Sequence, residues 1–397
     1  MASDENELLR WLHRSALATE ETVDRARRWL WRSTGRNQPQ EIAAYHGYAD
    51  ATAVHLTGRV LAQRAAGGPL DDDGWWDNLV NTWRRWESDE VANVPVTIGF
   101  GDQEQTVTTD EEGYYQASFP APAGHRDELS WQSASAAVDS KEGMIQATHE
   151  ILIPSPRAAF GIISDLDDTV IHTGITSLLL AAKLTFLENA KTRKPLDGVA
   201  ELYQALQRGL ARQPRNPLFY ISSSPWNLYD LLVDFLRLNE IPAGPLMLRD
   251  LGIDETKFIK EQGHGHKREK ALRLIDAYPS LPFVLLGDSG QQDPEIYAEI
   301  ARSRPGRILA CYIRDIDPDF DSERDTRVRR AVELAAAAGV PMVLARDSVS
   351  ISEHARSLGL LPPSALPAVA QEAAADKQRP ETGEQAVHDA LESLLPG

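Results

Sequence analysis

Residues Phe160–Gly174 read FGIISDLDDTVIHTG. An apolar run this short, stopped abruptly by acids, predicts a strand buried on both faces. The chain leaves it through Asp165-Leu166-Asp167-Asp168-Thr169. In open α/β sheets ligands bind beyond the carboxyl ends of strands, so these acids stand where chemistry is expected. Carboxylates this close repel one another unless a cation neutralises them. Hard oxygen ligands point to Mg²⁺ rather than zinc. Taken alone, the stretch also reads as an acidic solvent loop after a buried strand.

Its surroundings favour the first reading. From about 158 to 345 strand-like and helix-like segments alternate, which predicts a parallel sheet covered by helices. Ala159–Ser164, Leu218–Ser222, Pro245–Leu248, Phe283–Leu286, Ile308–Ile313 and Pro341–Ala345 read as strands. Gly198–Leu210, Leu228–Leu238, Lys267–Ala277, Pro294–Ser303 and Arg327–Ala338 read as helices. The second strand ends in Ser222-Ser223-Ser224-Pro225-Trp226-Asn227. Hydroxyls and backbone N–H groups there can hold phosphate oxygens, or merely cap a helix. Lys267 opens a later helix and can meet a phosphate as a point charge, or sit at the surface. The strand at 283 ends in Gly287-Asp288 and continues to Asp293. Gly287 permits close backbone approach, and Asp288 is a second candidate metal ligand. Asp293, before Pro294, reads equally as a helix cap.

In order along the chain stand DxDxT, a strand ending in Ser, a Lys and GDxxxxD. This sequence of motifs resembles the haloacid dehalogenase-like (HAD) phosphatases. The strings SDLDDTVIHTGI, FYISSSPWNLYDLL, GPLMLRDLG, HGHKREKALRLID and FVLLGDSGQQDPEIYAEI resemble, more narrowly, the catalytic domain of the actin-patch-associated phosphatidate phosphatase family. That resemblance spans about residues 155–345 and implies a Mg²⁺-dependent enzyme with the chemistry of the lipin group. It implies that Asp165 is the nucleophile and Asp167 the general acid and base. It implies Mg²⁺ held by Asp165, the Asp167 backbone carbonyl and Asp288. Ser222, Ser223 and Lys267 would bind phosphoryl oxygens. Thr169 would fix the motif loop, and Asp293 would stand behind the ligands.

The expected architecture is α/β: a HAD-like, Rossmannoid parallel sheet with flanking helices, preceded by a smaller β-sandwich and an N-terminal helix. The boundaries are 1–44 for an amphipathic helical segment, 45–155 for the sandwich, 156–360 for the catalytic domain and 361–397 for a mobile tail. At about 100–200 residues per domain, 397 residues allow two or three domains. Val54–Leu61, Val94–Phe100, Gln105–Thr109, Tyr114–Phe119, Leu129–Val138 and Met144–Ile153 supply the short strands. Thr109–Gly113 reads as a turn before Tyr114, within the run VTTDEEGYYQASF. A helical insertion near 72–90 places Trp76, Leu79, Val80, Trp83 and Trp86 on one face, as packing rather than chemistry.

The formal charge of −18 argues against nucleic acid as a partner. A lone Cys311 excludes an internal disulfide and a Cys-rich zinc site. No signal-peptide pattern and no apolar span of membrane length is seen, so the expected location is the cytoplasm. Against the overall acidity, Arg10–Arg36 carries seven arginines interleaved with Trp11, Trp29 and Trp31. Such a helix can lie at a membrane interface or pack on its own protein. The apolar stretch Ile175–Leu187 behind the nucleophile loop has the same two readings, site mouth or buried helix.

Three functions fit the sequence. The first is phosphatidate hydrolysis to diacylglycerol and phosphate at an open site. The second keeps the chemistry on a soluble, protein or nucleic-acid-end phosphomonoester. The third is a membrane- or protein-binding module with a residual catalytic domain. The oligomeric state is left open by the sequence.

Overall fold

The computed structural model describes residues 39, 41–62, 91–122, 127–141, 143–166, 169, 196–211, 213–249, 265–316 and 322–378. The N-terminal Arg/Trp segment, the insertion at 72–90, Asp167, Asp168 and Ile175–Leu187 lie outside them.

The architecture is mixed α/β. Strands β1 (Glu41–Ala44), β2 (Gly47–Ala49), β3 (Ala53–Leu61), β4 (Pro95–Phe100), β5 (Gln103–Thr108), β6 (Tyr114–Pro120), β7 (Ser130–Ser140) and β8 (Gly143–Ile153) come first. They form an eight-stranded sheet in the order β1-β3-β2-β8-β7-β4-β5, with β6 also paired to β3. Every pairing is antiparallel except β2 with β8. Alternating residues feed one core: Val54, Leu56, Val96, Ile98, Ala117, Phe119, Ala134, Ala136, Ile151 and Ile153. The predicted turn before Tyr114 forms. Asp110 Oδ1 accepts from the N–H groups of Glu112 and Tyr114 at 3.0 and 2.9 Å. The edge of this unit lies earlier than residue 45, because β1 already pairs with β3.

The second sheet has six strands: β9 (Gly161–Asp165), β10 (Leu218–Pro225), β11 (Leu246–Arg249), β12 (Phe283–Asp288), β13 (Ile308–Arg314) and β14 (Met342–Ala345). All of its pairs are parallel, in the order β11-β10-β9-β12-β13-β14. Successive residues of each strand go to opposite faces. Ile162, Tyr220, Val284, Leu286, Ala310 and Tyr312 face one core. Ile163, Phe219, Phe283, Leu285, Cys311 and Ile313 face the other. This explains the unbroken apolar runs of the sequence, since a parallel sheet is covered on both sides.

Helices α1 (Val199–Arg208), α2 (Tyr229–Leu238), α6 (Ser348–Ser357) and α7 (Ala365–Gln378) supply the first cover. Helices α3 (Gly265–Ala277), α4 (Asp293–Ser303) and α5 (Glu323–Ala337) supply the second. The five helices expected between the strands are present within a few residues of their predicted bounds. The expected tail from 361 is different over its first part. Helix α7 buries Ala365, Val369 and Ala373 and packs against α1. Asp376 Oδ2 accepts from Gly198 N–H at 2.9 Å, and a Glu372 carboxylate oxygen accepts from Glu201 N–H at 2.7 Å. Acceptors at a helix N-terminus satisfy N–H groups that the helix itself leaves unpaired. Gly198 is at φ 73°, and a β-carbon there would stand 3.0 Å from Ala373 Cβ.

The chain leaves β9 toward β10 and β11 on one side and reaches β12 on the other. The β9–β12 boundary is therefore the switch point at which open sheets place their ligands.

Asp376→Ala removes the buried acceptor for Gly198. It is expected to cost about 1–2 kcal/mol of stability, read as a lower urea midpoint. An unchanged midpoint would contradict the capping role.

Candidate active site

Asp165 closes β9 and Asp288 closes β12, so the switch point is flanked by two carboxylates. Asp293 joins them from the first turn of α4, five residues after Asp288. One carboxylate oxygen from each of the three lies within 4.8 Å of the others, and all three residues are buried. Lys267, near the start of α3, reaches in from the side. Its Nζ is 2.8 Å from Asp165 Oδ1 and 3.1 Å from Asp293 Oδ1.

Each carboxylate is held differently. The backbone N–H groups of Gly290 and Gln291 donate to Asp288 Oδ1 at 2.6 and 3.0 Å. Asp288 Oδ2 is buried with no hydrogen-bond partner among the described residues. Burial, and then the charge of Asp293, pushes the Asp288 carboxyl up to about 7. Asp293 Oδ2 accepts from Asp288 N–H at 3.3 Å. Gln292, not Asp293, occupies the N-cap of α4, so Asp293 belongs to the cluster. Below Asp165, Ser164 Oγ donates to the Asp165 carbonyl at 2.6 Å. It also lies 2.6 Å from the Tyr203 hydroxyl, which supplies the proton of that second contact. Burial raises the Tyr203 phenol, so it stays neutral.

Gly287 makes this crowding sterically feasible. A β-carbon there would lie 2.6 Å from Asp293 Oδ2 and 2.7 Å from Asp293 Cβ. Tyr297, on α4, lies under the same residues, and its hydroxyl donates to the Leu286 carbonyl at 2.8 Å.

The serine strand ends beside Asp165, with Ile221 paired to Asp165 across β9 and β10. Ser222 is fully buried, and its Oγ accepts from Ser224 N–H at 2.8 Å. Ser223 Oγ is buried with no hydrogen-bond partner among the described residues. Thr169 is buried and its hydroxyl likewise has no partner among them. It lines a cavity of about 180 Å³ that reaches Gly287 and extends over Leu196, Leu202, Arg314 and Arg346.

The structure thus brings Asp165, Asp288, Asp293 and Lys267 together and sets the Ser222–Ser224 turn on the adjoining strand. Asp167 lies outside the described residues. The donor set suits a hard divalent cation. Among the described residues three buried carboxylates face one ammonium, and Asp288 presents an oxygen with no hydrogen-bond partner there.

That imbalance has a measurable cost. Without divalent cations, Asp288→Asn keeps the acceptor for Gly290 and Gln291 and removes one charge. It is expected to raise stability by about 1–3 kcal/mol in EDTA, and to lose that advantage in excess Mg²⁺. Thermal unfolding in both buffers checks this. A variant less stable than wild type in EDTA would count against an uncompensated cluster.

Comparison with known proteins converges on the same segment. Residues 160–315 match the family described as phosphatidate phosphatase APP1, catalytic domain. Phosphatidate phosphatase APP1 of Saccharomyces cerevisiae is 30% identical over 197 residues, which is 48% of this chain and 32% of that protein. An uncharacterized protein of Schizosaccharomyces pombe is 29% identical over 221 residues, 55% of this chain and 35% of its own length. The chain spans about a third of the length of these curated relatives. Among solved structures, a carbohydrate acetylesterase from Xanthomonas citri aligns at 9% identity and a TM-score of 0.27, over 82% of this chain and 71% of its own. Similarity that low assigns neither fold nor chemistry. Residues 160–315 are thus similar to the catalytic domain of the phosphatidate phosphatase APP1 family.

Proposed function

We propose that this protein is a Mg²⁺-dependent phosphatidate phosphatase of the haloacid dehalogenase-like kind, with the eight-stranded unit as a β-sandwich in front of the catalytic domain. The observation that carries the reading is the buried carboxylate cluster, placed at the switch point of a parallel sheet within the matched segment. Asp165 is the nucleophile. Its carboxylate attacks phosphorus, the bond to the leaving alkoxide breaks, and an aspartyl-phosphate forms. Asp167 gives its proton to that alkoxide. It then takes a proton from the water that hydrolyses the acyl phosphate, releasing inorganic phosphate and restoring Asp165.

Lys267 supports this role by orienting Asp165 Oδ1 from 2.8 Å and offering positive charge to an incoming phosphoryl oxygen. Ser222 and Ser223 hold the other oxygens, and Thr169 steadies the nucleophile loop. Asp165, the Asp167 carbonyl and Asp288 would hold Mg²⁺, which when bound would share the charge of the transferring phosphoryl group. Asp293 positions Lys267 and the Asp288 backbone.

Phosphatidate is favoured as substrate by the name of the matched domain and of the yeast relative. The cavity beside Thr169 mixes apolar residues with Arg314, Arg346 and Lys377 and with Asp197 and Asp347. The Arg/Trp segment at 10–36 is the natural peripheral contact with a lipid surface in this reading. Among the described residues no helix is long and apolar enough to cross a membrane.

Phosphate release from phosphatidate in mixed micelles, with Mg²⁺ or EDTA, tests the proposal. Wild type is expected to turn over the lipid only with Mg²⁺, and Asp165→Asn to lose at least about 10³-fold in rate. Para-nitrophenyl phosphate runs alongside. Turnover of that compound with none of the lipid would keep the chemistry and remove the lipid assignment.

A further inference from the structure

The segment Ser222–Asn227, the end of β10 and the turn that follows it, lies close to the edge of the six-stranded sheet, where only β11 lies further out. Three residues at its exit are gripped by the other sheet. Arg59, on β3, is almost fully buried at 7% exposure. Its Nη1 donates to Asn227 Oδ1 at 3.1 Å, and its Nε donates to the Glu112 carbonyl at 2.8 Å. Its guanidinium also lies over the Tyr114 ring, 4.6 Å from the centroid. Nearby, the Tyr45 ring stacks on Trp226 at 4.3 Å and meets Tyr229 at 4.7 Å. His46 N–H donates to the Tyr229 hydroxyl at 2.7 Å.

The DEEG turn before Tyr114, which bears no chemistry of its own, acquires a purpose here. It places the Glu112 carbonyl and the Tyr114 ring so that two faces of one guanidinium are fixed. The remaining edge is then aimed at Asn227 with little freedom, because the guanidinium is planar and rigid. Breaking a hydrogen bond between buried polar groups is costly, so the contact resists movement of Asn227.

We propose that Arg59 is a positioning residue for the phosphate site. Through Asn227 it locks the Ser222–Asn227 turn, so the β-rich unit completes the catalytic domain instead of acting as a separate binding module. This inference rests on the phosphate-binding role given above to Ser222 and Ser223. Arg59 touches no reacting atom; it sets where those hydroxyls stand.

The test uses the full chain, as wild type, Arg59→Lys, Asn227→Ala and the double variant. Hydrogen exchange is followed over residues 222–229, with β8 and β12 as internal references. Both single variants are expected to speed exchange in 222–229 by about tenfold or more while the reference strands stay protected. With para-nitrophenyl phosphate, KM and the inhibition constant of inorganic phosphate should rise about five- to tenfold, kcat should change less, and the double variant should match the singles. Asn227→Ala removes only the acceptor, so it keeps the test valid if Arg59→Lys folds poorly. Unchanged exchange in Asn227→Ala, or effects that simply multiply in the double variant, would overturn the inference. A wild-type chain inactive on every phosphomonoester would sink the phosphatase reading alone. The exchange comparison would still decide whether Arg59 holds the turn.

Discussion

Among the described residues, three carboxylates share one buried space with a single ammonium group, and the parallel sheet is arranged around that conflict. Like charges in a medium of low polarity repel strongly, so the fold must supply compensation at close range. Lys267 bridges two of the acids, backbone N–H groups take one oxygen of Asp288, and a glycine lets Asp293 approach. The closely packed, mostly apolar strands beneath are what keep the acids from moving apart. An ion of two positive charges would relieve the remaining excess.

The two sheets are not independent bodies joined by a tether. Tyr45 and Tyr114 enter one core of the parallel sheet, while Leu152 enters the other. Tyr278 donates to the Ala49 carbonyl at 2.9 Å across the same seam. Aromatic side chains carry much of this contact, combining large buried area with few rotatable bonds.

Much of this was legible in the residue pattern. Strands buried on both faces announce themselves as apolar runs, and Asp165, Ser222 and Asp288 follow those runs directly. Lys267 was visible as a cation opening a helix, but its double pairing with Asp165 and Asp293 was not. Asp293 read equally as a helix cap, because Asp before Pro has the same local appearance in either role. Its place in the cluster depends on the close approach at Gly287, which only the tertiary structure supplies. Strands β1 and β2 are too short to show a period. Helix α7 is built largely from alanine, so its buried stripe is faint and resembles a polar tail. The contact of Arg59 with Asn227 joins residues 168 apart in sequence, and no local pattern can encode it.

The cap on α1 comes from far along the chain. Gly198 donates to a carboxylate 178 residues later, and Ala373 packs against the same turn. During synthesis, α1 therefore emerges long before the groups that finish its N-terminus. The parallel sheet is also assembled out of order, since its first strand ends in the middle. Contacts this distant in sequence are slow to form, because a long loop must close before they contribute. The N-terminus of α1 is therefore completed only once the segment around residue 376 has left the exit tunnel.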